Sequence, residues 1–193
     1  MSNNCVDAER ENTWVSAPTH VFIKLFSAIV PLFSRPVTQG VMCMKIGAYE
    51  FNQICAIEPK RNLDGAVKPY MPQSRYKNRN ILPLNKYGEG PFCRFKIPNN
   101  CNVSGVYAVV VECELKYIGE CLNLSSRYNM GYGIISPRNC FVGGQETNCR
   151  LNNLIYQAAN AGHKISLWFI QTEEYKAVEG KLRMSEQPEW NRI

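Results

Sequence analysis

Two short β-prone runs stand close together just past the middle of the chain. Residues 106–113 (VYAVVVEC) follow Gly105, and residues 115–118 begin directly after Glu114. Because so few residues separate them, the two runs are predicted to pair as a β-hairpin. A third run, residues 164–171 (KISLWFIQ), is predicted to form a central strand of the same sheet.

Helical patterns fill the intervals between and after these strands. Asn123 is a candidate N-terminal cap of the first helix, and Gly162 is a good C-terminal stop for the second. The order β-β-α-α-β-α predicts an α+β fold with a small mixed β-sheet flanked by helices, over residues 103–193. The predicted helices cover residues 123–128, 148–161 and 173–184.

Residues 1–102 are predicted to be an N-terminal extension of this domain that contacts DNA. Residues 19–33 have apolar side chains at helical spacing, which predicts an amphipathic helix that ends near Pro31. Residues 41–56 are typical of either a strand or a short helix. Six prolines are scattered through residues 57–100, so long regular elements are not expected there.

The net charge is concentrated in one stretch. The chain carries a formal charge of +6, which mildly favours an anionic partner. Residues 57–100 hold nine basic residues against three acidic ones, an excess equal to that of the whole chain. Tyrosines lie among these charges, a pattern that suits an arm tracking DNA phosphates, although a solvated loop is the alternative. The candidate DNA-binding residues in this stretch are Arg75, Lys77, Arg79 and Lys86.

The cysteine pattern argues against a zinc site and for a reducing compartment. The chain has nine cysteines, an odd number, and no two of them have the spacing of a zinc knuckle. The first residues carry acidic side chains and no apolar core, so no secretory signal is expected. The longest apolar run, residues 21–33, contains Lys24 and is too short to span a bilayer. The prediction is a cytoplasmic protein with free thiols and no membrane partner.

Several short motifs occur in a particular order in the second half of the chain. Residues 105–107 (GVY) precede residues 117–119 (YIG), Arg127 lies ten residues further, and Glu179 precedes residues 188–191 (PEWN). Any one of these is a weak signal. Together they resemble the GIY-YIG nuclease superfamily, over about residues 103–193, somewhat under half of the chain.

The resemblance implies a metal-dependent nuclease that hydrolyses DNA phosphodiester bonds. Glu179 would be the sole protein ligand of one Mg²⁺ ion, for which Mn²⁺ can substitute. Arg127 would bind the scissile phosphate through its fork of donors. In the family the two tyrosine hydroxyls, here those of Tyr107 and Tyr117, line the catalytic centre, and the first is a proposed general base. Asn191 would hold the site together by hydrogen bonds.

The sequence departs from the family at one catalytic position. Family members commonly have His or Tyr four residues after the arginine, and here Gly131 stands in that place. Tyr128 and Tyr132 flank it. Tyr132 is the preferred substitute, because glycines on either side of it could unwind the helix end and turn its side chain inward. Glu120, after the second triplet, either joins the site or faces solvent, and solvent is the favoured alternative.

Within the superfamily, the layout is closest to type II restriction endonucleases, which predicts sequence-specific cleavage of double-stranded DNA by a homodimer. The last motif ends the chain, so base recognition is expected from the N-terminal extension and from the insertion at residues 134–150. A structure-specific or repair nuclease, and a catalytically silent DNA-binding protein, are the alternatives. The insertion offers the base-reading candidates Arg138, Asn139, Gln145, Asn148 and Arg150.

Overall fold

The computed structural model describes residues 42–191. The amphipathic helix predicted for residues 19–33 and the polar residues before it lie outside the described residues. Within residues 42–191, no helix is both long and apolar enough to cross a membrane.

A five-stranded sheet forms the centre of the described chain. Its strands, in the spatial order β1-β2-β5-β3-β4, are all paired antiparallel, so the expectation of a mixed sheet is wrong. The predicted hairpin is confirmed as β3 and β4, and the strand predicted last along the chain is central, as expected. The strands are β1 (Cys43–Ile46), β2 (Tyr49–Ala56), β3 (Gly105–Val111), β4 (Glu114–Cys121) and β5 (Ile165–Gln171).

The sheet extends across the predicted domain boundary at residue 102. The ambiguous segment at 41–56 forms β1 and β2, and β2 hydrogen-bonds to β5 along its edge. The three strands predicted for residues 103–193 are therefore joined by β1 and β2, which come from the predicted N-terminal extension. Residues 57–100 are irregular, as predicted, apart from a short 3₁₀ helix at Pro72–Arg75.

Helical segments follow the strands close to where they were predicted. The Asn123 side chain accepts a hydrogen bond from the Ser126 N–H at 2.8 Å, which confirms it as a cap. Gly162 has a φ of +86°, the left-handed conformation that glycine adopts most readily, and it lies just past the helix that was predicted for residues 148–161. The helices are α1 (Leu124–Ser126), a π-helix at Arg127–Tyr132, α2 (Glu146–Asn160) and α3 (Tyr175–Glu186).

Helices cover both faces of the sheet, which explains why every residue of β3 is buried. Side chains alternate between the faces along a strand. Tyr107 and Val109 lie in the cluster that contains Leu151 of α2, whereas Val106 lies with Val178 of α3. Alternate positions on one strand thus serve two separate apolar clusters, and the face that holds Tyr107 is the one that carries the candidate site.

A third apolar cluster joins the basic segment 57–100 to the insertion 134–150. Phe92 packs with Phe141 and with half-buried tyrosines. Backbone hydrogen bonds tie the same two segments together, including Asn85 N–H to the Cys140 carbonyl at 2.9 Å. The two stretches that were assigned separately to DNA binding therefore form one packed unit.

Candidate functional site

The glycines of the two triplets make room for aromatic side chains on the sheet. Gly119 lies opposite Tyr107 in the register of β3 and β4, and a Cβ atom at Gly119 would stand 2.5 Å from Cζ of Tyr107. A Cβ atom at Gly105 would likewise stand 2.5 Å from Cζ of Phe169. The Tyr107 ring therefore lies directly on the backbone of β4, which requires glycine at that point.

A cluster of four tyrosines and one arginine lies on this face. The Tyr107 and Tyr132 hydroxyls are 2.8 Å apart, and Arg127 donates to the Tyr132 hydroxyl at 2.6 Å. The guanidinium carbon of Arg127 also lies 4.4 Å from the centre of the Tyr132 ring. Tyr107 stacks on Tyr117, with ring centres 6.1 Å apart, and meets Tyr128 edge-on at 5.2 Å. The sequence-predicted residues of the two strands and of the following helix are thus in contact.

The π-helix explains how Tyr132 joins this cluster. Its backbone bonds from residue i to i+5, as shown by the 2.6 Å hydrogen bond from Gly133 N–H to the Tyr128 carbonyl. A π-turn holds one residue more than an α-turn, so the side chain one turn after Arg127 stands five residues on instead of four. Gly131 occupies the position that the family motif would fill, and Tyr132, fully buried, lies beside Arg127. Single π-turns of this kind occur frequently at functional sites.

Burial controls the ionisation of the tyrosines. Desolvation, and then the neighbouring Tyr132 hydroxyl, raise the pKa values of Tyr107, Tyr117 and Tyr128 above the ordinary value of about 10. Arg127 lowers each of them, but by less. Burial also lowers the pKa of Arg127, yet Tyr107 and Tyr132 outweigh it and the net change is upward. Near neutral pH Tyr107, Tyr117 and Tyr128 are therefore neutral phenols beside the positive charge of Arg127.

These raised pKa values predict a loss of stability in alkali. A phenol whose pKa is higher in the folded than in the unfolded chain stabilises the fold fully below about pH 10, and that contribution is lost as pH rises through the folded value. Thermal unfolding followed from about pH 8 to about pH 11 should show this decline. Tyr128→Phe should reduce the decline, whereas Tyr156→Phe, outside the cluster, should not. An unchanged profile in Tyr128→Phe would contradict the assignment.

The C-terminal residues close the edge of the sheet next to Tyr117. The Asn191 amide both accepts from the Ile118 N–H and donates to the Ile118 carbonyl, each at 2.8 Å, and so occupies the free edge of β4. Trp190 N–H donates to the carbonyl of Lys116, where β4 carries a bulge. Asn191 therefore fixes the backbone on which Tyr117 stands, which is the kind of role that the family resemblance implies for it.

Arg150 belongs to this cluster and not to an exposed recognition loop. Its Nη1 donates to the Trp190 carbonyl, and its charge lowers the pKa of Tyr117. Asn148 is 2% exposed and donates to Gln145, so its burial contradicts the expectation that its side chain reads a base.

Two other recognition candidates in the insertion hold the loop together. Arg138 donates to the Val142 carbonyl at 2.8 Å and lies over the Tyr76 ring. The Asn139 carbonyl accepts from the Asn85 amide at 2.6 Å. Of the five candidates, Gln145 is the one whose side chain is exposed.

The basic candidates of the N-terminal segment are exposed, as a DNA-contacting role requires. Arg75 donates to the Tyr70 hydroxyl, Arg79 donates to the Ser74 carbonyl at 2.5 Å, and Lys86 lies over the Tyr87 ring. The four exposed side chains are those of Arg75, Lys77, Arg79 and Lys86.

The Glu179 side chain is 17% exposed, and among the described residues its ionic partner is Arg183, one turn further along α3, at 3.3 Å. The described residues contain no group of three or more acidic, histidine or cysteine side chains that would hold a metal. One carboxylate, supplemented by water, is nevertheless a donor set that Mg²⁺ accepts. Glu179 is thus a candidate ligand for a hydrated magnesium ion that would displace Arg183, but its helix packs on the sheet face of Val106 and not on the face that holds Tyr107.

Three buried polar atoms at the tyrosine cluster lack a hydrogen-bond partner. They are Nε of Arg127, Nε of Arg150 and the hydroxyl of Tyr128. Buried polar atoms are normally satisfied, so such a group points to a ligand or to water. Arg127 also lines an open cavity of about 500 Å³ together with Glu120, which is half-buried. Arg127 and Arg150 each lower the pKa of Tyr117, so the cluster has two positive charges with unsatisfied donors next to it.

Comparisons with known proteins give a limited likeness. No protein-family model matches the sequence, and no curated protein matches it. The structure is similar to a solved structure of a substituted form of bacteriophage T4 EndoII, with a TM-score of 0.38 and 24% sequence identity. The match covers 57% of this chain and 87% of that chain. At this TM-score the likeness assigns no role to any residue.

One residue that supports the site was not found from the sequence. Asn152 of α2 is fully buried, and its amide donates to the Tyr132 carbonyl at 2.6 Å and to the Cys93 carbonyl at 2.9 Å. Its oxygen accepts from the Cys93 N–H at 2.8 Å. Asn152 therefore ties the end of the π-helix to the segment before β3. A single asparagine among apolar helix positions gives no sequence signal of this role.

Removal of this amide should destabilise the protein. Asn152→Ala leaves three buried backbone groups without partners, and we expect the free energy of unfolding to fall by about 3 kcal/mol. Urea denaturation measures the change. The neighbouring Asn153→Ala is the matched control, because Asn153 donates to a single carbonyl, that of Pro91, and should cost about 1 kcal/mol. If both variants lost the same free energy of unfolding, the buried hydrogen bonds of Asn152 would not stabilise the fold more than the single bond of Asn153.

Proposed function

We propose that this chain is an endonuclease that hydrolyses phosphodiester bonds of double-stranded DNA with one divalent metal ion. The observation that carries the proposal is the convergence of Arg127 and Arg150 on the tyrosine cluster, each with a buried Nε that lacks a partner. A phosphate held at the cluster would supply the acceptor that these nitrogens lack. The motif order along residues 105–191 supports the same conclusion.

The residues of the cluster divide the chemistry between them. Arg127 binds the scissile phosphate and stabilises the charge that develops on it. Tyr107 stays protonated near neutral pH because its pKa is raised. A protonated phenol is not a base, so in this proposal the Tyr107 hydroxyl, held by its 2.8 Å contact with the Tyr132 hydroxyl, orients the attacking water by hydrogen bonding, and the proton that the water loses leaves to solvent.

The remaining residues hold this arrangement and supply the metal ligand. Asn191 fixes the strand edge at Tyr117, and Asn152 fixes the end of the π-helix. Glu179 would hold the metal ion, and the chemistry supplied there would be Lewis-acid stabilisation of the charge on the phosphate.

The finer proposal is cleavage at a defined sequence, in the manner of a type II restriction enzyme. Exposed basic residues of the N-terminal segment and Gln145 are available for contacts with DNA. One active site cuts one strand, so a cut through both strands at a symmetric sequence calls for a homodimer.

Digestion of an unmethylated plasmid with Mg²⁺ distinguishes a sequence-specific endonuclease from a structure-specific or repair nuclease. Sequence-specific cleavage gives discrete fragments, and sequencing of their ends gives a single motif. A structure-specific or repair nuclease gives nicked circles or a smear, and that result would overturn the restriction-like proposal while leaving the endonuclease intact. The oligomeric state in the presence of DNA, measured by sedimentation, tests the dimer separately.

A further inference from the structure

Three short backbone segments lie side by side in the otherwise irregular stretch 57–100. Lys60 N–H donates to the Arg94 carbonyl, and Lys68 N–H donates to the Lys60 carbonyl, each at 2.8 Å. Tyr70 and Phe92 exchange a pair of backbone hydrogen bonds at 2.8 and 3.1 Å. This register brings together the side chains of residues that are up to 34 positions apart in the sequence.

The side chains of these segments line a small cavity of about 220 Å³. It contains three cations and no acid: the lining residues are Lys60, Lys68, Pro69, Tyr70 and Arg94. Across residues 42–191, no ion pair involves any of the three cations. Like charges that converge without a carboxylate repel one another, and a bound anion removes that repulsion.

Arg94 is held in place instead of moving freely in solvent. Its guanidinium carbon stacks 3.9 Å from the centre of the Tyr70 ring, and its Nε is buried without a hydrogen-bond partner. Stacking occupies the face of a guanidinium and leaves its in-plane donors available to an anion. The unsatisfied Nε is thus an independent sign that the pocket takes a ligand.

The size of the cavity limits the ligand. Sites for drug-sized molecules measure about 300–1,000 Å³, and this cavity is smaller, so it suits a single phosphate group and not a whole nucleotide. We propose that Lys60, Lys68 and Arg94 form a pocket for one backbone phosphate of bound DNA, separate from the scissile phosphate. This assignment rests on the proposed function and goes beyond the exposed basic residues already considered.

The pocket is connected rigidly to the candidate active site. Both chain neighbours of Arg94 are hydrogen-bonded to residues around the candidate active site. Cys93 N–H donates to the Asn152 side chain, and Phe95 N–H donates to the Gly133 carbonyl at 3.1 Å. A phosphate bound at Arg94 is therefore fixed relative to Tyr132. The pocket sets the position of the duplex, as phosphate contacts do, without reading its sequence.

The salt dependence of DNA binding tests the proposal. Binding of the full chain to a duplex is measured in EDTA at several salt concentrations, for the wild type and for Lys60→Gln/Lys68→Gln. Loss of one phosphate contact should reduce the slope of log K against log salt by about 0.9. Affinity at fixed salt should fall about tenfold or more. The control, Lys45→Gln/Lys164→Gln, changes the same charge at exposed positions outside the pocket and should keep the wild-type slope.

The outcomes separate this inference from the proposed function. A wild type that binds no DNA overturns both. A wild type that binds DNA, with the same slope in pocket and control variants, overturns the pocket alone. If inorganic phosphate raises the Tm of the wild type but not of the pocket variant, while the DNA slope is unchanged, the pocket takes a free anion and the DNA assignment fails. If the double variant does not fold, Lys60→Gln and Lys68→Gln are measured singly.

Discussion

Arg127→Ala should lower the rate of DNA cleavage by about 10²–10³-fold, the loss that follows removal of one preorganised donor to a developing negative charge. The reason lies in the position of the side chain. Arg127 donates to Tyr132, lies over its ring, and keeps a second buried nitrogen without a partner. Single-turnover cleavage with enzyme in excess measures the chemical step directly.

Arg127→Lys separates charge from geometry. Lysine keeps the positive charge but lacks the planar fork, so we expect a rate between those of alanine and the wild type. Both variants must keep the wild-type unfolding transition to within about 2 kcal/mol for the comparison to hold. If either variant cuts at the wild-type rate, Arg127 does not bind the scissile phosphate.

Glu179→Gln should lower metal-dependent cleavage by about 10³-fold, which corresponds to about 4 kcal/mol of lost transition-state stabilisation. Glutamine has the shape of glutamate and an oxygen that accepts from Arg183, so the contact that fixes the side chain persists. It carries no charge and is a poor magnesium ligand. DNA binding in EDTA should therefore stay at the wild-type level while cutting is lost.

The matched control is Glu173→Gln, which removes the same charge from an exposed residue just before α3. It should cut at the wild-type rate. A Glu179→Gln variant that cuts as fast as this control would show that the carboxylate paired with Arg183 is a structural ion pair and not a metal ligand.

Local patterns were enough to predict much of the fold. Short β-prone runs placed β3, β4 and β5, and cap chemistry placed the helix ends at Asn123 and Gly162. These signals are carried by adjacent residues. The pairing of β2 with β5 depends instead on contacts across more than a hundred positions, and residues 41–56 carry no local signal for it. For the same reason the antiparallel pairing of β5 with both β2 and β3 was not apparent.

The tyrosines of the candidate site could be predicted from the sequence motifs. The backbone geometry and the neighbouring side chains that hold them in place could not. The triplets gave Tyr107 and Tyr117, and the glycines near residue 132 indicated that the helix end was irregular. The π-turn, which shifts the position after Arg127 by one residue, became visible only in the backbone hydrogen bonds. The position of Arg150 beside Tyr117 was also missed, because arginine in a glycine-containing insertion is equally typical of a DNA-reading loop.

The metal dependence of cleavage tests the central claim most directly. Purified wild-type protein is incubated with a mixed pool of linear and supercoiled duplexes in Mg²⁺, in Mn²⁺ and in excess EDTA, with Glu179→Gln alongside. The account predicts cleavage with either ion, no cleavage in EDTA, and a loss of about 10³-fold in the variant. If the wild type cuts no duplex with either ion, or cuts equally well in EDTA, the assignment of this site as a metal-dependent nuclease is contradicted.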